Sequence, residues 1–224
     1  KDAQTIESSW FQNSPITCVI FGDNVETVPK NLCRDFNALN CVAFSENITS
    51  IGSQAFSNCQ SLDSIHFPTN LLTIDSWAFN DCISLTSVVL PDNFTNLNSC
   101  AFYGCTSLKS IHIPESLLAI GNSAFAACTS LTDIDFSEGL STIYDAAFSG
   151  CTALTNVNFP NTLSSIDNSA FKGCTSLSSL TIPENIYSIE QYAFNECSSI
   201  DTLFWNAKDA QTIESSWFQN SPIT

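Results

Sequence analysis

Cysteine is the most chemically reactive residue type in this chain of 224 residues, which contains 11 cysteines. Seven of them recur every 23 residues and form one column: Cys59, Cys82, Cys105, Cys128, Cys151, Cys174 and Cys197. Zinc sites need close pairs such as C-x-x-C, which this spacing does not supply. In the preceding unit, Cys33 stands at the position of a recurring Phe and Phe36 at the Cys position, an exchange that conserves volume. The column therefore predicts buried side chains, each a small hydrophobe with a weak S–H donor.

Cys18 and Cys41 belong to a different column. When the 23-residue units are aligned, with one deletion in the first unit, both fall at the position of Ser64, which faces outward from a predicted strand. Neighbouring strands lie about 4.8 Å apart, and a disulfide accepts that separation of Cα atoms. We predict a Cys18–Cys41 disulfide, the alternative being two free thiols on the sheet. Cys100 has no partner that the sequence assigns.

Two N-x-[ST] acceptors for N-glycosylation occur, Asn47-Ile-Thr and Asn93-Phe-Thr. Both asparagines lie in the turn that follows a predicted strand, in a column that also holds Asn70 and Asn185. Because Asn suits turns through its tolerance of left-handed backbone, the motifs also have a purely structural explanation. We predict glycosylation at Asn47 and Asn93, with turn chemistry as the alternative.

The remaining polar residues do not form a recognisable catalytic or metal site. His66 and His112 occupy one outward column two rungs apart, a separation of about 10 Å at the usual strand spacing, too wide for one metal ion. An oxygen-rich patch, whose residue types would suit calcium but which we expect to be solvated, comprises Asp133, Asp135, Asn156 and Asn158. No nucleophile–base pair, phosphate loop or cofactor fingerprint appears. We therefore expect no enzymatic activity, no catalytic residues, no cofactor and no metal.

The elements that position these residues come from a repeat of about 23 residues that fills the chain. Its Phe column comprises Phe11, Phe56, Phe79, Phe102, Phe125, Phe148, Phe171, Phe194 and Phe218. Ala precedes this Phe in the seven units from Ala55 to Ala193, while Trp10 and Trp217 take the Ala position in the outer units. A later I-x-F segment, as in Ile65 to Phe67, has the period of two that is typical of a strand with one buried face.

A unit of this kind cannot bury its apolar side alone, so the units must stack. The pattern predicts a right-handed parallel β solenoid, with one short strand per coil and irregular or short helical turns on the return side. Residues 1–224 form a single solenoid of about 9.5 coils in this interpretation. Trp205 falls at an inward strand position and is expected to fill the core or a junction.

The pattern L-x-x-I-x-[FIL]-P-x-x-[LIF]-x-x-I-x-x-x-A-F-x-x-C resembles the leucine-rich repeats of the BspA-like surface proteins, of the Treponema pallidum type. The resemblance is close over residues 51–205 and looser at the ends. It implies a curved leucine-rich-repeat solenoid with its strands on the concave side, and a surface or secreted protein used in adhesion and binding. It brings no catalytic residues.

Charge and hydropathy narrow the choice of partners. The 22 acidic residues against 6 Lys and Arg give a net charge of −16, which disfavours nucleic acid because phosphate binding needs clustered cations. No apolar run approaches the length of about 20 residues that a membrane span requires, so we expect no membrane insertion.

A longer repeat is superimposed on the short one, because residues 1–17 reappear unchanged as residues 208–224. Selection for core packing does not explain identity at exposed positions. We interpret residues 1–207 as one super-repeat and 208–224 as the start of the next, the alternative being a duplicated end in a chain of ordinary length. The sequence thus predicts a fragment of an extracellular or cell-surface structural array, a filament whose partners are neighbouring super-repeats of the same or identical chains. The alternative is an adhesin-like module that binds a protein or glycan on its concave sheet.

Overall fold

The computed structural model describes residues 15–208, 212–213 and 216–222. Their regular elements are all short β-strands, and none of the described residues is helical. The strands are β1 (Cys18–Ile20), β2 (Thr27–Val28), β3 (Cys41–Ala43), β4 (Ser50–Ile51), β5 (Thr73–Ile74), β6 (Ser87–Val89), β7 (Asn96–Leu97), β8 (Ser110–Ile113), β9 (Ala119–Ile120), β10 (Asp133–Phe136), β11 (Thr142–Ile143), β12 (Ser165–Ile166), β13 (Ser179–Ile182), β14 (Ser188–Ile189), β15 (Thr202–Trp205) and β16 (Thr212–Ile213).

The two-residue strands form one continuous parallel sheet, which we call the short-strand sheet. Its nine strands follow the order β16-β14-β12-β11-β9-β7-β5-β4-β2. Pairing joins equivalent residues of successive coils, as Ile51 pairs with Ile74. The predicted leucine-rich-repeat solenoid is thus confirmed, and this second strand in each coil is a feature that a two-residue pattern is too short to reveal from sequence.

The strands of the I-x-F segments form what we call the long-strand face. It contains three parallel groups: β1 with β3, β6 with β8 and β10, and β13 with β15. Two coils, around Phe67 and Phe159, reach this face without a regular strand, although a strand was predicted in every unit. In each of them the Phe ring is tilted against a ring of the preceding coil at 6.0–6.1 Å, wider than the spacing of about 4.8 Å in a sheet.

A column of stacked phenylalanines runs through the core. Successive rings from Phe56 to Phe194 lie 5.1–5.5 Å apart and nearly parallel, and each is fully buried. The Ala residues before them are also fully buried, and their carbonyls accept the Phe N–H of the preceding coil, as in Phe56 to Ala78 at 2.8 Å. Trp10 and Phe11, which belong to the same two predicted columns, lie outside the described residues.

Left-handed backbone recurs at two positions of the turn that carries this Phe, or Cys33 in its place: two residues before it and two residues after it. The first column is Asn31, Gln54, Trp77, Cys100, Ser123, Ala146, Ser169 and Tyr192, and the second is Asp35, Asn58, Asp81, Gly104, Ala127, Gly150, Gly173, Glu196 and Asn220. At these positions, and at the Phe between them, the N–H bonds the next coil: Gln54 to Ser76 at 3.1 Å and Asn58 to Asn80 at 2.7 Å. The intervening N–H groups bond three residues back within the coil. The turn therefore satisfies its buried backbone without any helix or strand.

Candidate functional site

The cysteine column forms a hydrogen-bonded ladder inside the solenoid. All seven side chains are fully buried, and each Sγ donates to a backbone carbonyl of the preceding coil at 3.1–3.3 Å. In six coils the acceptor is the stacked Phe, for example Phe102 for Cys128 at 3.3 Å. In the seventh it is Cys33, which sits at the Phe position, so the exchange with Phe36 preserves the contact. Each thiol therefore joins two coils.

Burial makes these thiols unreactive. It raises the pKa of Cys82 and Cys151 to about 12, and it raises the pKa of Cys105 and Cys128 well above the ordinary value. Since the thiolate is the form that acts as a nucleophile or binds a metal, protonated thiols in the core do not take part in either reaction.

Cys18 and Cys41 meet on the exposed long-strand face. They are paired residues of β1 and β3, their Cα atoms lie 4.4 Å apart, and their sulfur atoms are joined as a disulfide. The bridge ties the first described coil to the second. Cys100 is a free, partly buried thiol in the first left-handed column, and burial raises its pKa.

The two glycosylation motifs differ in their surroundings. The Asn47 side-chain nitrogen donates to the Asp23 carbonyl of the preceding coil at 2.8 Å, and Asn70 and Asn185 make the same bond at 2.8 Å. Asn93 is exposed in the same column, but in the described part of the chain its side chain has no hydrogen-bond partner. The side chain of Asn47 thus stabilises its turn, whereas the amide nitrogen of Asn93 remains free of such a bond.

A histidine and an aspartate are in contact in the middle of the long-strand face. His112 Nδ1 lies 2.7 Å from Asp135 Oδ2 on the adjacent strand, a carboxylate contact that we did not anticipate for this histidine. His66 lies two coils away, beside Val89, which is 70% exposed. Within the described residues, no three His, Cys, Asp or Glu side chains are arranged to hold a metal ion.

Of the two positions expected for Trp205, the core or a junction, the structure excludes the core. Its side chain is 39% exposed, its indole N–H donates to the Ala207 carbonyl at 3.1 Å, and its ring lies 5.8 Å from that of Trp217. The equivalent residue of the preceding coil is the fully buried Ile182, and a slot of that size does not contain an indole. The tryptophan thus caps the edge of the core.

A pocket that the sequence analysis missed opens on the short-strand sheet. It has a volume of about 470 Å³ and spans four coils, with Thr95, Asn96, Asn98, Leu118, Asn122 and Tyr144 on its walls. Gly121 stands between Asn98 and Tyr144 in one column, so the missing side chain opens the gap. A Cβ on Gly121 would lie 2.6 Å from the Leu97 carbonyl oxygen, so a side chain here would require the neighbouring backbone to shift.

A family model, described as the BspA type leucine-rich repeat region in 6 copies, matches residues 27–151 and 118–224. The chain belongs to the BspA-type leucine-rich repeat family, as the sequence resemblance suggested.

Solved structures agree with this assignment. A leucine-rich repeat protein from Bacteroides ovatus is 26% identical, with a TM-score of 0.73 over 91% of this chain and 58% of its own. The leucine-rich repeat protein of T. pallidum is 27% identical, with a TM-score of 0.67 over 73% of this chain and 78% of its own. A leucine rich cell surface protein from Faecalibacterium prausnitzii shares the fold at 23% identity and a TM-score of 0.58, over 86% of this chain and 60% of its own. The chain thus spans less than two thirds of the Bacteroides protein.

No curated protein matches this chain. In the described part of the molecule, no helix is both long and apolar enough to cross a bilayer.

Proposed function

We propose that this chain is a non-enzymatic segment of a surface-exposed structural array, in which 207-residue super-repeats stack end to end into one continuous solenoid. Residues 208–224 repeat residues 1–17, and the supporting observation is how the described residues among them, 208, 212–213 and 216–222, pack on the coil before them. Residues 1–14 lie outside the described part, so the later copy carries the argument.

Among the described residues, the junction makes contacts of the same kind as those between earlier coils. β16 continues the short-strand sheet, pairing with β14. The Phe194 N–H donates to the Trp217 carbonyl at 2.8 Å, and the Glu196 N–H donates to the Gln219 carbonyl at 3.0 Å. The Phe218 ring stacks on Phe194 with 5.5 Å between centroids. A second super-repeat would therefore begin without any break in the ladder.

A polar exterior and the class of protein support a location at the cell surface. One structural neighbour is a leucine rich cell surface protein, and disulfides such as Cys18–Cys41 persist in oxidising compartments. Partners in this proposal are further super-repeats, in the same chain or in identical chains, with glycans attached at the surface.

Electron microscopy of the native assembly tests the proposal. Nine coils at about 4.8 Å each advance about 43 Å, so we expect filaments with an axial repeat near that value. Discrete short particles at all concentrations would contradict it.

A tandem chain of two super-repeats provides a second test. Small-angle X-ray scattering should report one rigid body about 43 Å longer than a single super-repeat. Phe218→Asp at the internal junction should split it into two bodies that move independently, because a charge replaces the stacked ring. Gln219→Asp is the matched control: its exposed side chain carries the same added charge, and only its backbone carbonyl bonds the neighbouring coil. Equal flexibility in both variants would reject the proposed junction.

The second candidate is an adhesin-like receptor that binds a partner on the long-strand face. The observation that favours it is an apolar depression of about 390 Å³ lined by His66, Phe67, Val89 and Pro91, where Val89 is 70% exposed. Around it the face carries small polar side chains such as Ser87 and Ser110, so the apolar area is confined. Monodisperse particles that bind a surface ligand, with loss of binding in Val89→Asp, would favour this function over the array.

A further inference from the structure

The pocket at Gly121 differs chemically from the rest of the surface. The chain has a net charge of −16, yet none of the described residues that line this pocket is charged. Its walls combine amides and hydroxyls with two exposed apolar side chains, Leu118 at 60% and Tyr144 at 42% exposure. A volume of about 470 Å³ falls within the usual range of small-molecule sites, about 300–1,000 Å³.

Two of the three amides of the pocket are held by hydrogen bonds to the preceding coil. Asn98 Nδ2 donates to Asp75 Oδ1 at 2.9 Å, and Asn96 Nδ2 donates to the Thr73 hydroxyl at 3.3 Å and to the Thr95 hydroxyl at 3.0 Å. Because the nitrogen atoms are engaged, each amide retains its carbonyl oxygen as an acceptor. Asn122 is exposed, and within the described part of the chain its amide has no hydrogen-bond partner, so it offers both donors and an acceptor.

We propose that this pocket binds a neutral pyranose sugar at the end of a glycan. An uncharged sugar presents hydroxyl groups around its edge and an apolar C–H face, and the pocket offers the matching partners for both. The Tyr144 ring and Leu118 cover the apolar face, while Asn96, Asn98 and Asn122 bond the hydroxyls. An anionic ligand finds no cation here and a strongly negative molecule around it. A purely apolar ligand would leave the side-chain oxygens of Asn96 and Asn98 and the side-chain amide of Asn122 without a hydrogen-bond partner.

This site is separate from the long-strand face and from the junction between super-repeats. Its residues belong to the short-strand sheet between β7 and β11, whereas the junction lies at β14 and β16. Sugar binding at this pocket can therefore be tested independently of the proposed array.

The test is saturation-transfer and chemical-shift NMR on the full chain with four neutral probes: methyl glucoside, methyl galactoside, methyl mannoside and N-acetylglucosamine. We expect at least one to bind with a dissociation constant near 1 mM, corresponding to about 4 kcal/mol. Glucuronate, a charged sugar of similar size, should bind at least tenfold more weakly. No saturable binding of any neutral probe at about 50 mM, fifty times that dissociation constant, would overturn the proposal, as would equal binding of glucuronate.

Two variants locate the site. Tyr144→Ala should weaken binding of the best probe at least tenfold, and Asn122→Ala should weaken it by about threefold, as expected for loss of one hydrogen-bonding group. Tyr187→Ala is the matched control, since Tyr187 is 59% exposed and directly precedes β14 on the same sheet. Circular dichroism establishes that each variant is folded. Binding that survives Tyr144→Ala, or that Tyr187→Ala reduces equally, would refute the assignment.

Discussion

Two adjacent coils offer a reciprocal test of the left-handed turn columns. Ala127 has φ of +59°, and Gly150, its equivalent in the next coil, has φ of +74°. A Cβ added to Gly150 would meet Ala127 backbone atoms at 3.8 Å, an ordinary van der Waals distance. Neither exchange therefore creates a steric clash, and backbone conformation alone decides the outcome.

The expected magnitude follows from two opposing contributions. A Cβ in left-handed backbone costs about 1–2 kcal/mol, and Gly loses about 0.5–1 kcal/mol more conformational entropy on folding than Ala. Ala127→Gly should thus raise the free energy of unfolding by about 0.5–1 kcal/mol, and Gly150→Ala should lower it by a similar amount. The double variant should return close to the parent.

Urea unfolding followed by circular dichroism measures these changes as shifts of the midpoint at constant slope. Ala124→Gly is the control, because Ala124 is fully buried in the Ala column and is not left-handed, so it should destabilise by about 1 kcal/mol. If Ala127→Gly destabilised the protein as Ala124→Gly does, the conformational argument would be wrong.

Three further predictions concern the disulfide, the glycosylation motifs and the buried thiols. The double variant Cys18→Ser/Cys41→Ser should lose about 3 kcal/mol of stability, the value expected for a disulfide that closes a loop of this length. In the parent protein, non-reducing peptide mapping should find the two cysteine peptides linked, and two alkylated cysteines would contradict this. Expression in a glycosylating host should place a glycan on Asn93 and leave Asn47 unmodified, because Asn47 uses its amide nitrogen in a structural bond; mass mapping showing the reverse would refute it. The free energy of unfolding should be constant below about pH 9 and fall between about pH 9 and 12. Burial raises the pKa of thiols such as Cys151 from 9.0 to about 12, so the unfolded chain releases those protons first. A melting temperature that does not change over this pH range would exclude this linkage.

The repeat made much of the core predictable. Strict recurrence of Phe, Ala, Cys and Ile at one interval required equivalent environments in successive coils, and Phe125 and Cys128 are indeed fully buried. The pairing of Cys18 with Cys41 in adjacent strands followed from the same interval.

Other features left no recognisable mark in the sequence. The left-handed columns hold residues such as Trp77 and Cys100, whereas the usual signal for that conformation is Gly or Asn. The gap at Gly121 becomes a pocket only through its neighbours on adjacent coils, and the exposure of Trp205 depends on the size of the slot that Ile182 occupies. Each of these depends on distances between coils rather than on spacing along the chain.

The N–H groups of Gln54, Phe56 and Asn58 all bond the following coil, which has a mechanical consequence. When the chain is pulled at its two ends, every interface between coils carries the tension, but an end coil has a neighbour on one side only and so has the fewest bonds to break before it is released. Each released coil of 23 residues adds up to about 75 Å of extended chain in place of about 5 Å. A solenoid of this kind would lengthen under pulling by unwinding from its end, one coil at a time.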